Sequence, residues 1–190
     1  YSIDDSDNNL VSFPNNDVAS EQIPIGFDFE FYGQYYTDLI INANGWIGFG
    51  EDNTEFNNTS LPSNSAPRPA IFGYWDDLNP VANDPGGCSN NGSGLVYKQN
   101  LGDKFIVWYN NVVRCTSNPD LSGTFDFQIV LHSNGDIDIN YRNMSGNTTS
   151  GTVGMQNADG TIAIVNAYDS DYVESEKTIQ YKELDLSLIH

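Results

Sequence analysis

The chain has 190 residues, 38% hydrophobic and 13% aromatic, enough apolar material for a packed core, which excludes disorder along its whole length. Its 26 acidic against 7 basic residues give a formal charge of −19, which disfavours nucleic acid and anionic membranes as partners. No apolar run reaches the roughly 18 residues of a membrane-spanning helix, and none is expected.

Residues 1–22 are polar and acidic, with Asp4, Asp5, Asp7 and Asp17 among Asn and Ser. Strand signals then follow closely. In Ile23–Tyr32, Phe27, Phe29 and Phe31 alternate with Asp28 and Glu30, so the aromatic side chains share one face of a pleated strand. Asp38–Ala43 and Trp46–Phe49 flank Asn44-Gly45, whose readiness for positive φ predicts a hairpin turn. A long polar loop over residues 51–69, closed by Pro62, Pro67 and Pro69, leads to an apolar strand at Ala70–Trp75.

Asp76-Asp77-Leu78-Asn79-Pro80 ends that strand, and residues 81–93 form a second loop holding Pro85-Gly86-Gly87-Cys88. Leu95–Lys98 and Lys104–Val113 are predicted strands joined by an Asn100–Asp103 turn. Phe105–Tyr109 is apolar on both parities, as expected of a central strand covered on both faces. In Thr124–His132, Phe125, Phe127, Ile129 and Leu131 again fall on one face, and Ser133–Asp136 turns the chain back into Ile137–Tyr141. Thr152–Gln156 and Thr161–Asn166 form a third hairpin, Thr178–Leu184 the closing strand, and residues 185–190 a tail or linker. No stretch has helical periodicity. About 11–12 short strands at this spacing predict an all-β chain, an antiparallel β-sandwich spanning residues 1–190 as one domain.

Cys88 and Cys115 are the only cysteines, and both lie in Gly-, Asn-, Ser- and Pro-rich stretches. An exposed free thiol there is a liability, so a Cys88–Cys115 disulfide is expected, and with it an oxidising, extracytoplasmic setting. With two distant histidines they make a poor zinc site. The chain starts at Tyr1 without a leader pattern, as expected of a piece processed from a longer protein.

Several segments together resemble nidogen-like domains. These are Phe27-Asp-Phe-Glu-Phe-Tyr-Gly33, Tyr36-Thr37 and Ile41-Asn-Ala-Asn-Gly-Trp-Ile-Gly-Phe-Gly50, then Leu61–Pro67, Ile71–Pro80, Gly94–Tyr97, Phe105–Trp108, Thr124–Gln128 and Gly154–Gly160. The series is also similar to β-sandwich modules appended to secreted bacterial proteases and surface proteins. It covers residues 20–182, and the segment around Cys88 and Cys115 lies outside the pattern. The resemblance implies a non-catalytic accessory or adhesion module of a larger secreted or cell-surface protein, meeting a protein or a glycan. Two alternatives stand beside it: a structural subunit of an extracellular assembly made of copies of itself, and a carbohydrate-binding module.

Asp76 and Asp77, with Asn79 and Asp84 nearby, can be read in two ways. They offer hard oxygen ligands for Ca2+, or they cap backbone amides of the following loop. Asp5–Asn9 opens like an EF-hand loop, but Leu10 and Asn16 stand where glycine and glutamate belong, so that reading fails. A looser calcium loop there stays open as an alternative, and Asp169-Ser-Asp171 is a similar, equally weak one. Tyr35 and Tyr36, in a polar turn, are the candidates for exposed ligand contact, whereas Trp75 and Trp108 read as core. An enzyme is not expected. His132 and His190 are the only imidazoles, no nucleophile, zinc or phosphate-loop motif occurs, and with 26 acids chance carboxylate pairs carry no weight. Sequons at Asn57, Asn58, Asn91, Asn143 and Asn147 permit glycosylation in an extracellular setting.

Overall fold

The structure is a computed structural model that describes residues 1–50, 54–84, 88 and 90–183. Two antiparallel sheets carry thirteen strands among these residues. The first sheet runs β1 (Leu10–Val11), β7 (Leu95–Asn100), β8 (Lys104–Arg114), β9 (Gly123–His132), β10 (Ile137–Gly146) and β13 (Lys177–Tyr181), with β6 (Leu78–Asn79) pairing the end of β8. The second runs β12 (Ala163–Tyr168), β11 (Thr152–Gln156), β5 (Ala70–Trp75), β4 (Trp46–Gly48), β3 (Gln34–Asn42) and β2 (Ile23–Phe31). The helical elements described are two short 3-10 turns, Asp7–Asn9 and Pro119–Leu121. The predicted loop residues 51–53, 85–87 and 89, the last residue of the predicted closing strand (Leu184) and the tail over residues 185–190 lie outside the described residues.

Period-two patterning places the core where expected. Phe29 and Phe31 from β2, Phe105, Val107 and Tyr109 from β8, and Phe125, Phe127, Ile129 and Leu131 from β9 all enter the cluster between the sheets. Two tyrosines cross that core to the opposite sheet. Tyr109 donates its hydroxyl to the carbonyls of Asn42 (2.7 Å) and Trp46 (3.0 Å), and Tyr141 donates to that of Gly73 (2.7 Å). Burial holds both phenols well above their ordinary pKa, so they stay protonated donors.

Both sheets are covered on their outer faces as well. Ile40, Trp46, Phe72 and Trp75 of the second sheet pack under Leu61 and Ala66 of the long loop. Gln156 pins that loop, accepting from the Ser63 amide and donating to the carbonyls of Ser63, Ala66 and Pro67. On the first sheet, Ile106 and Val130 face outward yet are fully buried. The N-terminal residues grip the sheet on both flanks of this pair: Tyr1 Oη donates to Asp138, and the Asp4 amide donates to Gln99. The double-faced apolarity of Phe105–Tyr109 is thereby explained.

Some boundaries differ from expectation. The β2–β3 turn is Tyr32-Gly33, at φ 50° and 76°, so Tyr32 leaves the strand and polar Gln34–Tyr36 join β3. Two-residue β1 and β6 are too short for any periodicity to reveal. Trp108, expected in the core, points outward and is half-buried, because the inward positions on β8 are Phe105, Val107 and Tyr109. The Asn44-Gly45 turn is buried rather than exposed. The Gly45 carbonyl accepts from the amides of Gly73 (3.1 Å) and Tyr74 (3.2 Å), and a Cβ on Gly45 would lie 2.0 Å from the Tyr74 carbonyl oxygen.

Candidate functional site

β5 runs out at Trp75, and the chain passes through Asp76 and Asp77 into β6. The chain bends at Asp76, and the two neighbouring carboxylates take different partners. Asp76 turns inward and pairs with Arg114 at 2.6 Å, while accepting from Ser150 Oγ (2.7 Å) and the Asp77 amide (2.9 Å). Burial raises its pKa, opposed by Arg114 and these donors. Arg114 also donates to the Tyr74 hydroxyl and the carbonyls of Leu121 and Asn147.

Asp77 faces the N-terminal segment instead. Asn16 Nδ2 donates to Asp77 Oδ1 at 3.4 Å, and the Asn16 amide donates to Asp84 Oδ1 at 3.3 Å. Asn44 Nδ2 in turn donates to the Asn16 carbonyl (3.2 Å) and to Asp17 Oδ1 (3.4 Å). Burial pushes Asp77 up to about 7, reinforced by the negative charges of Asp17 and Asp76. Burial also raises Asp17, with Asp84 and Glu55 adding to it and Asn44 opposing.

The four residues Asp76, Asp77, Asn79 and Asp84 therefore divide. Asp76 belongs to the Arg114 pair. Asn79 Oδ1 accepts the Val81 amide (2.9 Å) and shapes its own turn. Asp77 and Asp84 meet on Asn16, a residue that only the fold places there. The segment arrives by docking beside β3, where Ser20 N donates to the Ile41 carbonyl (2.8 Å) and Ala43 N to that of Val18 (3.0 Å). The expected disulfide is present between Cys88 and Cys115. Cys115 N donates to the Asp77 carbonyl at 2.7 Å, so the bridge meets the Asp77 backbone.

A second feature lies on the outer face of the first sheet. Trp108 sits between Tyr97, with ring centroids 5.5 Å apart, and the Arg142 guanidinium, 5.0 Å from its ring. Buried Asp126 accepts from Trp108 Nε1 (2.9 Å) and from Arg142. A cavity of about 300 Å³ opens beside them under Tyr1, Ser2 and Ile3, with Gln128 and Asn140 on its floor. Tyr97, Trp108, Gln128 and Asn140 are register partners across β7, β8, β9 and β10, so they form one row across the sheet. Sequence reasoning missed this row because it took Trp108 for core. The alternation of Asp126 and Gln128 with inward Phe125 and Phe127 was the available signal.

Tyr35 is 69% exposed, and its hydroxyl donates to Glu30 (2.9 Å). Tyr36 is half-buried and stacks on Phe49 with centroids 5.0 Å apart, which makes it a rim residue of the core rather than an exposed contact. His132 Nε2 lies 2.9 Å from Asp138 Oδ2 and not in either site.

A family profile described as NIDO-related matches residues 1–185, nearly the whole chain. The chain belongs to the NIDO-related family. No curated protein and no solved structure matches it. The span of the match takes in the N-terminal segment with Asn16 and Asp17, the outer-face row and the Cys88–Cys115 loop of this NIDO-related domain. None of its described helical elements is long and apolar enough to cross a membrane.

Proposed function

We propose that this NIDO-related domain is a non-catalytic extracellular accessory module of a larger secreted or surface protein, and that it binds a protein or glycan through the outer face of its first sheet. The observation that carries this reading is the Trp108 row beside its cavity. The Tyr97–Trp108 pair with Arg142 and Asn140 beside it combines apolar contact area with hydrogen-bonding groups, which is what sugar rings and peptide side chains require. Family membership and the Cys88–Cys115 bridge support an extracellular setting.

Binding of the purified domain to a glycan array and to extracellular matrix proteins tests the reading. Trp108→Ala is expected to abolish any specific signal, while Tyr35→Ala, far from the row, leaves it intact. Specific binding that survives Trp108→Ala would remove the outer face from the account.

A second reading, a structural subunit, draws on the edge strand β12, where Val165 and Tyr168 are 44% and 42% exposed. An exposed apolar edge is a template for pairing with another copy. Concentration-dependent polymerisation abolished by Val165→Lys would favour it.

A further inference from the structure

Asn16 is 2% exposed, and its side-chain Oδ1 has no hydrogen-bond donor in the structure. Buried polar oxygens are normally satisfied, so such an atom points to a missing partner. Its surroundings say what kind. The same carboxamide faces Asp77 at 3.4 Å, the Asn16 amide faces Asp84 at 3.3 Å, and Asn44 links the Asn16 carbonyl to Asp17. An N–H···O hydrogen bond usually closes to about 2.7–3.2 Å, so at 3.4 Å Asp77 is loosely held by the neutral Asn16 donor. The basic side chain acting on Asp77 is Arg114, which is engaged with Asp76 at 2.6 Å.

We propose that Asn16, Asp17, Asp77 and Asp84 form a Ca2+ site that fastens the N-terminal segment to the turn between β5 and β6. Among the described residues no three Asp, Glu, His or Cys side chains form a ready-made trio, so the site is a mixed one. Asp77 and Asp84, which both accept from Asn16, supply carboxylates, Asn16 Oδ1 supplies a neutral oxygen, and Asp17 adds negative charge through its link to Asn44. Ca2+ accepts such irregular sets of carboxylate, carboxamide and water oxygens, roughly six to eight in all. Mg2+ demands a compact octahedron and holds its water, which suits ligands on separate loops poorly. The site differs from the four residues expected from sequence, since Asp76 and Asn79 have other partners and Asn16 and Asp17 replace them. It is independent of the adhesive reading and stands if that reading fails.

The test is thermal melting of the purified domain with Ca2+, with Mg2+ and with EDTA at constant ionic strength, alongside calorimetric titration with Ca2+. A saturable rise of about 5–10 °C is expected once Ca2+ exceeds its Kd by roughly a hundred-fold, with a smaller response to Mg2+. Asp77→Asn, which removes a ligand, should lose most of that rise, and Asp17→Asn, which removes a neighbouring charge, should reduce it, whereas Asp159→Asn in an exposed turn keeps it. If Asp77→Asn does not fold, Asp17→Asn alone carries the comparison. Equal melting in Ca2+ and EDTA, or an undiminished rise in Asp17→Asn, overturns the proposal. So does an equal loss in Asp159→Asn, which would mean general screening of the acidic surface.

Discussion

The Asp76 carboxylate and the Arg114 guanidinium meet at 2.6 Å inside the sandwich, one at the end of β5 and the other at the end of β8. They tie the two sheets together at the edge of the core, with Ser150, Tyr74 and the carbonyls of Leu121 and Asn147 completing the network. Removing one partner leaves a buried charge without compensation.

Arg114→Met is therefore expected to destabilise the domain by about 3–5 kcal/mol, while the double variant with Asp76→Asn recovers part of the loss. Urea denaturation of the two single variants and the double variant measures the coupling. Strict additivity would show that the two groups do not act as a pair.

Reduction of Cys88–Cys115, or Cys115→Ser, is expected to cost about 3–4 kcal/mol, because the bridge closes a loop with a sequence separation of 27. Cys115 N also donates to the Asp77 carbonyl, so reduction should weaken Ca2+ binding together with stability. Calorimetry on the oxidised and reduced forms reads both effects. Unchanged affinity would show that Asp77 needs no help from the disulfide.

Tyr141→Phe deletes the hydroxyl that satisfies the Gly73 carbonyl across the core. A loss of about 1–3 kcal/mol is expected, since a buried acceptor is left without its donor. Gly73→Ala strains the same place, for a Cβ there would lie 2.7 Å from Phe127 and 2.8 Å from Ile129. Such overpacking costs about 1–3 kcal/mol, and melting curves of the two variants test the closeness of the sheets at this point.

Asp138 sets an acid limit. Burial would raise its pKa, but hydrogen bonds from His132, Tyr1 and Gln180 outweigh burial and hold it below the usual carboxylate range. A depressed carboxylate contributes stability that is complete above its unfolded pKa near 4 and is lost as pH falls through its folded value. Stability should drop as the medium is acidified below about pH 4, and Asp138→Asn should flatten that part of the profile. An unchanged acid limb in Asp138→Asn would assign the acid sensitivity to other carboxylates.

Much of the fold was legible in the chain. The alternation of Phe27, Phe29 and Phe31, and of Phe125, Phe127, Ile129 and Leu131, marked two strands and their inward faces. Asn44-Gly45 marked a turn, and Cys88 and Cys115 marked the bridge. Tyr32-Gly33 was missed, because tyrosine rarely adopts positive φ and carries no turn signature. Trp108 was misplaced for a different reason. Phe105–Tyr109 is apolar on both parities, and nothing local says which parity meets the second sheet and which meets residues 1–4.

Sequence by itself determined that this NIDO-related chain forms sheets and which residues share a strand face, because strand geometry is a property of near neighbours. Only the tertiary structure decided which acids keep company. Asp76 and Asp77 are adjacent, yet one joins Arg114 and the other joins Asn16. Closing two sheets over a common core sets the distance between segments 60 or more positions apart, and no local pattern records it.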